Sequence, residues 1–119
     1  NKMKEIYETV LDAQVQATGM IKDGVNGRDV DKLARNIIDK KFKGRFIHSL
    51  GHEVGLSVHD GKNLSSQVDF ILKENMVVTV EPGIYIPELG GVRIEDTILV
   101  TKNRAKILTN SEKNLIEIG

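Results

Sequence analysis

G-G-V-R-I-E-D-T-I-L-V-T, residues 90–101, alternates apolar and polar side chains with the two-residue period of a half-buried strand. Val92, Ile94, Ile98 and Val100 share one face, while Arg93, Glu95, Thr97 and Leu99 share the other. Just upstream, M-V-V-T-V (76–80) is a run of β-formers that follows turn chemistry at Leu72 to Asn75. Pro82-Gly83 breaks the run and Ile84-Tyr85-Ile86 resumes it. After the long strand, Asn103 serves a turn into a last short strand near Lys106-Ile107-Leu108. Earlier, Phe46-Ile47 begins a short extended segment, and the polar stretch from Gly61 to Gln67 reads as a loop.

Before residue 45 the period is helical. Met3, Ile6, Tyr7, Val10, Ala13, Ala17 and Met20 recur at three- and four-residue steps, with Gly24 as the expected stop. Asn26 is placed to cap a second helix, with Asp29 near its positive end. Val30, Leu33, Ala34, Ile37 and Ile38 form its apolar stripe, and Gly44 ends it. Two helices followed by an antiparallel sheet make an α+β plan, the helices packed on the sheet.

The 119 residues suffice for one domain, 1–119, and not for two. Seventeen basic and seventeen acidic residues cancel, which gives no electrostatic reason to expect nucleic acid or an anionic membrane as partner. Lys40, Lys41, Lys43 and Arg45 cluster where a helix is expected to end, so they read as a solvated terminus. No stretch approaches the ~20 apolar residues of a membrane span, and the chain opens on no signal-peptide pattern. The absence of cysteine removes disulfides and thiolate metal sites, so any metal must take nitrogen and oxygen ligands. This composition suits a cytoplasmic protein. Residue 1 is asparagine rather than methionine, which leads us to expect that an upstream segment has been removed.

The chemistry-bearing residues are concentrated. All three histidines, His48, His52 and His59, fall within twelve residues, flanked by glycines that allow close approach of backbone or ligand. Singly, each would be read as an ordinary surface or core histidine. Glu81 ends an apolar strand and Glu95 stands inside one. A carboxylate so placed costs on the order of several kcal/mol unless it is paired or bound to a cation. Ion pairs, Glu95 with Arg93 or Asp96 with a neighbouring lysine, are one account; a shared cation on two strand glutamates and a histidine is the simpler one. Mixed imidazole and carboxylate ligation suits Mn, Co, Fe or Zn.

Three motifs, H-S-L-G-H-E-V-G-L-S-V-H-D (48–60), E-P-G-I-Y (81–85) and G-V-R-I-E-D-T-I-L-V-T (91–101), resemble the creatinase/methionine-aminopeptidase family of pita-bread metallopeptidases, within it the prolidase and aminopeptidase P branch. Y-E-T-V-L-D-A-Q (7–14) in the first helix is similar as well, so the resemblance covers nearly the whole chain. It implies that residues 1–119 are the C-terminal half of a pita-bread catalytic domain. It further implies that His52, Glu81 and Glu95 are metal ligands, Glu95 bridging two ions. Glu81 would double as the general base toward the attacking water. His59 would bind substrate and stabilise the tetrahedral intermediate, His48 would line the proline-side pocket, and Arg93 would orient the carboxylate ligands. Two divalent ions would bring the pKa of water toward about 7 and neutralise the developing oxyanion. The implied reaction is hydrolysis of Xaa-Pro peptide bonds, with a proline-containing peptide as substrate.

The chain also departs from the family pattern. Two further aspartate ligands belong on a hairpin ahead of the first helix, and Asp12, Asp23, Asp29, Asp31 and Asp39 all lie in or beside expected helices. The upstream half of the same polypeptide is therefore the expected partner, and the isolated chain is expected to be inactive. Glu53 stands where the family usually has glycine, and Asp60 replaces a more usual glutamate with no proline after it. A half-domain should leave an apolar sheet face bare, so homo-oligomers are expected. Methionine aminopeptidase is the enzymatic alternative, and a non-catalytic pita-bread binding protein is the other. A facial-triad oxygenase would need a His-x-His or His-x-Asp pair on one strand, which the chain lacks.

Overall fold

The structure is a computed structural model that describes residues 1–54, 62–109 and, through its backbone, 112–116. Helix α1 (Lys2–Met20) starts at Asn1, whose side chain accepts the Lys4 amide at 3.1 Å. The expected stripe forms its inner face, with Ile6, Val10, Ala13 and Ala17 fully buried. The helix ends sooner than its sequence suggests, at Met20. Gly24 lies beyond it in a left-handed turn (φ 91°), donating its N–H to the Leu72 carbonyl at 2.8 Å. Helix α2 (Gly27–Phe42) has the predicted cap: the Asn26 side chain accepts the Arg28 amide at 3.0 Å. The same oxygen accepts the Phe70 amide at 3.1 Å, so the cap also ties α2 to the chain at Phe70. Val30, Ala34 and Ile38 face inward, and Lys40, Lys41, Lys43 and Arg45 are exposed at the far end.

Among the described residues seven strands follow: β1 (Gly51–Val54), β2 (Asn63–Leu64), β3 (Val77–Val80), β4 (Gly83–Ile86), β5 (Gly90–Val100), β6 (Ala105–Ile107) and β7 (Glu112–Ile116). All pairings are antiparallel, in the order β2-β1-β3-β5-β4, with β6 and β7 also on β5. Ile98 pairs with both Val78 and Ile107, and Arg93 with both Gly83 and Asn114. Hence β3 and β4 run along one edge of β5 and β6 and β7 along the other. The register of β3 on β5 passes without slip into that of β4, and the Ile94 amide donates to the Pro82 carbonyl at 3.2 Å within the gap. Pro82 interrupts the ladder without ending the edge.

Three expectations change. No strand forms at Phe46-Ile47; β1 starts at Gly51, and Phe46 is buried with its carbonyl accepting from Arg35. The segment expected as a loop contributes β2. The short strand near Lys106 is not the last, because E-K-N-L-I pairs with β5 as β7. That segment lacks the apolar alternation of a buried strand, and main-chain bonding to a free edge asks for none.

Val92, Ile94, Ile98 and Val100 line the core face of β5 under the helices, as their period implies. Asp96 shares that face, 1% exposed, and Gln14 of α1 donates to its carboxylate at 2.6 Å. The bond is a polar anchor between helix and sheet. On the opposite face Arg93, Glu95, Thr97 and Leu99 stay half-buried, a mixed surface and not the apolar one expected. No helix among the described residues is long and apolar enough to cross a membrane. Replacing Ile98, fully buried, by alanine should lower the unfolding free energy by about 2–5 kcal/mol in urea titrations. Leu99→Ala, on the half-exposed face, should cost clearly less.

Candidate active site

Gly51 opens the site. A β-carbon there would collide with the Thr79 carbonyl, so only glycine lets β1 approach β3 this closely. The approach brings the His52 amide to the Thr79 hydroxyl at 3.1 Å and the Glu81 amide to the Leu50 carbonyl at 2.7 Å. With both backbones fixed, His52 Nε2 lies 3.8 Å from Glu81 Oε2. Donors that share one cation, each at about 2 Å, stand roughly 3–4 Å apart, so this spacing fits a common ion. His52 Nδ1 faces the Glu53 carbonyl at 3.3 Å, the side on which a neutral imidazole carries its proton when Nε2 is to be a ligand. The His52 side chain is 49% exposed and that of Glu81 18%, which leaves the pair open on the imidazole side.

Glu95 enters through register. Val80 pairs with Asp96 and Gly83 with Arg93, so Glu81 stands opposite Glu95 where the ladder is interrupted. Directly opposed residues of antiparallel strands point to one face, and two carboxylates so placed repel unless a cation lies between them. On the other edge Glu95 pairs with Glu112. The donor types fit a hard or borderline divalent ion. Even so, no three His, Asp or Glu side chains among the described residues converge as a ready cage. The structure brings His52 and Glu81 together and places Glu95 one strand away. It also answers the question raised by Glu53. That residue pairs with Val78 inside a regular strand, and strand alternation turns its side chain away from the face of His52. His59 and Asp60 lie outside the described residues.

His48 is committed elsewhere. Its Nδ1 lies 2.8 Å from the Ser49 carbonyl and its Nε2 2.8 Å from the Tyr85 hydroxyl. A carbonyl accepts only, so Nδ1 carries the proton, and in the neutral ring Nε2 accepts from Tyr85. Phe46 and Tyr85 both meet the imidazole edge-on, at centroid distances of 5.1 and 5.4 Å. Burial pushes the Tyr85 hydroxyl above its ordinary range. The charge of Arg93 and its hydrogen bond to the phenol pull the other way, and Glu81 adds to the rise. Tyr85 therefore stays a donor, linking His48 to Arg93. Among the described residues Arg93 Nε is buried without an acceptor, and no ion pair joins Arg93 to Glu95.

Sequence reasoning assigned nothing to Tyr85 or Thr79. Tyr85 stands within the E-P-G-I-Y motif, where an aromatic hydroxyl four residues after the strand glutamate was the available signal. Thr79 gave none, being one β-former among several. The groove between α1 and α2, lined by Glu8, Asp12, Lys40 and Lys43 among others, touches none of these residues.

Comparison with known proteins agrees with this arrangement. Residues 1–102 match metallopeptidase family M24. A Xaa-Pro dipeptidase of Pyrococcus horikoshii is 53% identical over 116 residues, covering 97% of this chain and 33% of the relative. The solved prolidase from Pyrococcus furiosus superposes with a TM-score of 0.88 at 52% identity, over 94% of this chain and 34% of that one. An X-Pro aminopeptidase from Thermotoga maritima gives 0.87 at 39% identity, over 99% and 34%. The chain thus spans about a third of the length of the relatives it matches. Two helices packed on an antiparallel sheet are the architecture it shares with these prolidases, which have the pita-bread fold. Membership of a metallopeptidase family implies divalent metal ions. With the three motifs, the helix-on-sheet layout and the family match in agreement, this chain belongs to metallopeptidase family M24.

Proposed function

We propose that the polypeptide carrying this chain hydrolyses Xaa-Pro peptide bonds, as a dipeptidase or an aminopeptidase P. The observation that carries the reading is the approach of His52 Nε2 to Glu81 Oε2 at 3.8 Å, opposite Glu95, at the motif positions that call for metal ligands. The printed names of its relatives, Xaa-Pro dipeptidase and X-Pro aminopeptidase, support the same substrate class. Two divalent ions, of Mn, Co, Fe or Zn, are the proposed cofactors. When bound they supply an acidified water and a counter-charge for the oxyanion.

The chain's own residues divide the remaining work. His52, Glu81 and Glu95 hold the ions, and Glu81 also takes the proton from the attacking water. His59 binds substrate and stabilises the tetrahedral intermediate. His48 contributes the ring face of the proline-side wall, since both its nitrogens are already engaged. Arg93 orients a ligand carboxylate. Its orphaned Nε supports that role, because a buried guanidinium N–H calls for an acceptor, and two aspartates from the upstream half of the polypeptide are the proposed source. The parent is assigned to the cytoplasm. Exposed Ile107 and Leu108, at and just after β6, support homo-oligomers.

The decisive assay is proline release from Xaa-Pro dipeptides by the full-length polypeptide in added Mn or Co. Glu81→Gln should cut kcat by about 10²–10⁴-fold, the usual contribution of a general base, and unimpaired turnover would refute its role. The isolated 119-residue chain should show no turnover; measurable proline release would overturn the requirement for upstream ligands. In calorimetric titration with Co, His52→Ala should weaken binding to the full-length protein, and unchanged affinity would remove His52 from the ligand set.

A further inference from the structure

The segment between α2 and β1 has no ladder of its own, yet it carries His48 and leads into His52. Buried backbone groups in such a segment must find partners in side chains. Here the partners come from one turn of α2. Arg35 donates Nη1 to the Phe46 carbonyl at 2.7 Å and Nη2 to the His48 carbonyl at 2.9 Å. Its Nε and Nη2 also grip both oxygens of Asp31, at 2.9 and 3.1 Å. Asp31 is fully buried and accepts the Leu50 amide at 3.0 Å, an amide that it shares with the Leu64 carbonyl. The Arg35 guanidinium lies 4.2 Å over the Phe46 ring, whose edge contact continues to His48.

We propose that Asp31 and Arg35 are positioning residues, which hold residues 46–50 so that His48 reaches Tyr85 and the Leu50 carbonyl receives the Glu81 amide. This deepens the proposed peptidase reading and rests on it. The route to the site is short: Asp31 takes the amide of Leu50, and the carbonyl of that same residue takes Glu81. The guanidinium makes four planar hydrogen bonds at once, a geometry that a lysine ammonium cannot reproduce. Stability alone does not require this pair, because a buried ion pair is commonly replaced by apolar residues at no loss. What apolar residues cannot supply is the aim of two carbonyls and an amide.

The test compares three variants of the 119-residue chain: Arg35→Lys, Asp31→Asn and the double apolar change Asp31→Leu/Arg35→Met. Imidazole ¹⁵N resonances of the wild type should show His48 in a single tautomer, protonated at Nδ1. All three variants should lose that single-tautomer signature. In hydrogen exchange, protection of the Glu81 amide should fall by about tenfold more than that of the Ile98 amide in β5. A purely structural pair would lower both amides by the same factor and would be rescued by the apolar double change. Either result, or an unchanged His48 signature in variants that fold, overturns the proposal. If the double variant does not fold, Arg35→Lys, which keeps the charge and the apolar stem, decides by the same two readouts. In the full-length protein Arg35→Lys should raise KM for an Xaa-Pro dipeptide more than it lowers kcat. No hydrolysis by the wild type would sink the peptidase reading while leaving the resonance and exchange tests in force.

Discussion

Strand β5 has a period of two, and the helices above it and the strands paired along its edges answer to it. One set of its side chains, Val92, Ile94, Asp96, Ile98 and Val100, must face the helices; the other set, with Arg93 and Glu95, must face away. A one-residue slip of β3 on β5 would turn Val78 and Val80 out of the core and Glu81 toward the helices. The hydrophobic core therefore fixes the site without touching it. Because β3 and β4 keep one register along the same edge, that constraint carries through Pro82 and holds Glu81 opposite Glu95.

The remaining candidate ligand, His52, comes from a part of the chain that β5 does not control. Among the described residues β1 bonds to β3 and β2 alone, so the position of His52 depends on how closely β1 can approach. Two devices set that approach: the missing side chain at Gly51 and the polar hold of α2 on the segment before it. Backbone contacts place the glutamates, and side-chain contacts place the histidines. The division explains why Glu95 sits in a regular strand and Glu81 on the edge beside it, while His48 stands on an irregular stretch.

Much of this was legible in the sequence. The helical stripes, the Asn26 cap and the alternation of β5 each carry a period or a cap that no tertiary contact had to override. The three motifs pointed to the family and to His52, Glu81 and Glu95. What the sequence concealed was of two kinds. β2 and β7 are short or polar strands made by main-chain pairing, which leaves no side-chain period to read. Asp31, Asp96 and Tyr85 are polar residues whose partners are remote in sequence: Asp31 meets Leu50, Asp96 meets Gln14 and Tyr85 meets His48. Asp31 looked like one more charge on a helix surface, because its burial depends on a loop that periodicity cannot place.

The bond between Gln14 and Asp96 also bears on how the chain is made. Its partners are 82 residues apart, so at a synthesis rate of about 5–20 residues per second the anchor of α1 emerges roughly 4–16 seconds after the helix does. During that interval the face of α1 meant for β5 waits without the strand that it covers. Until β5 arrives, that face is open to chaperones and to mispairing.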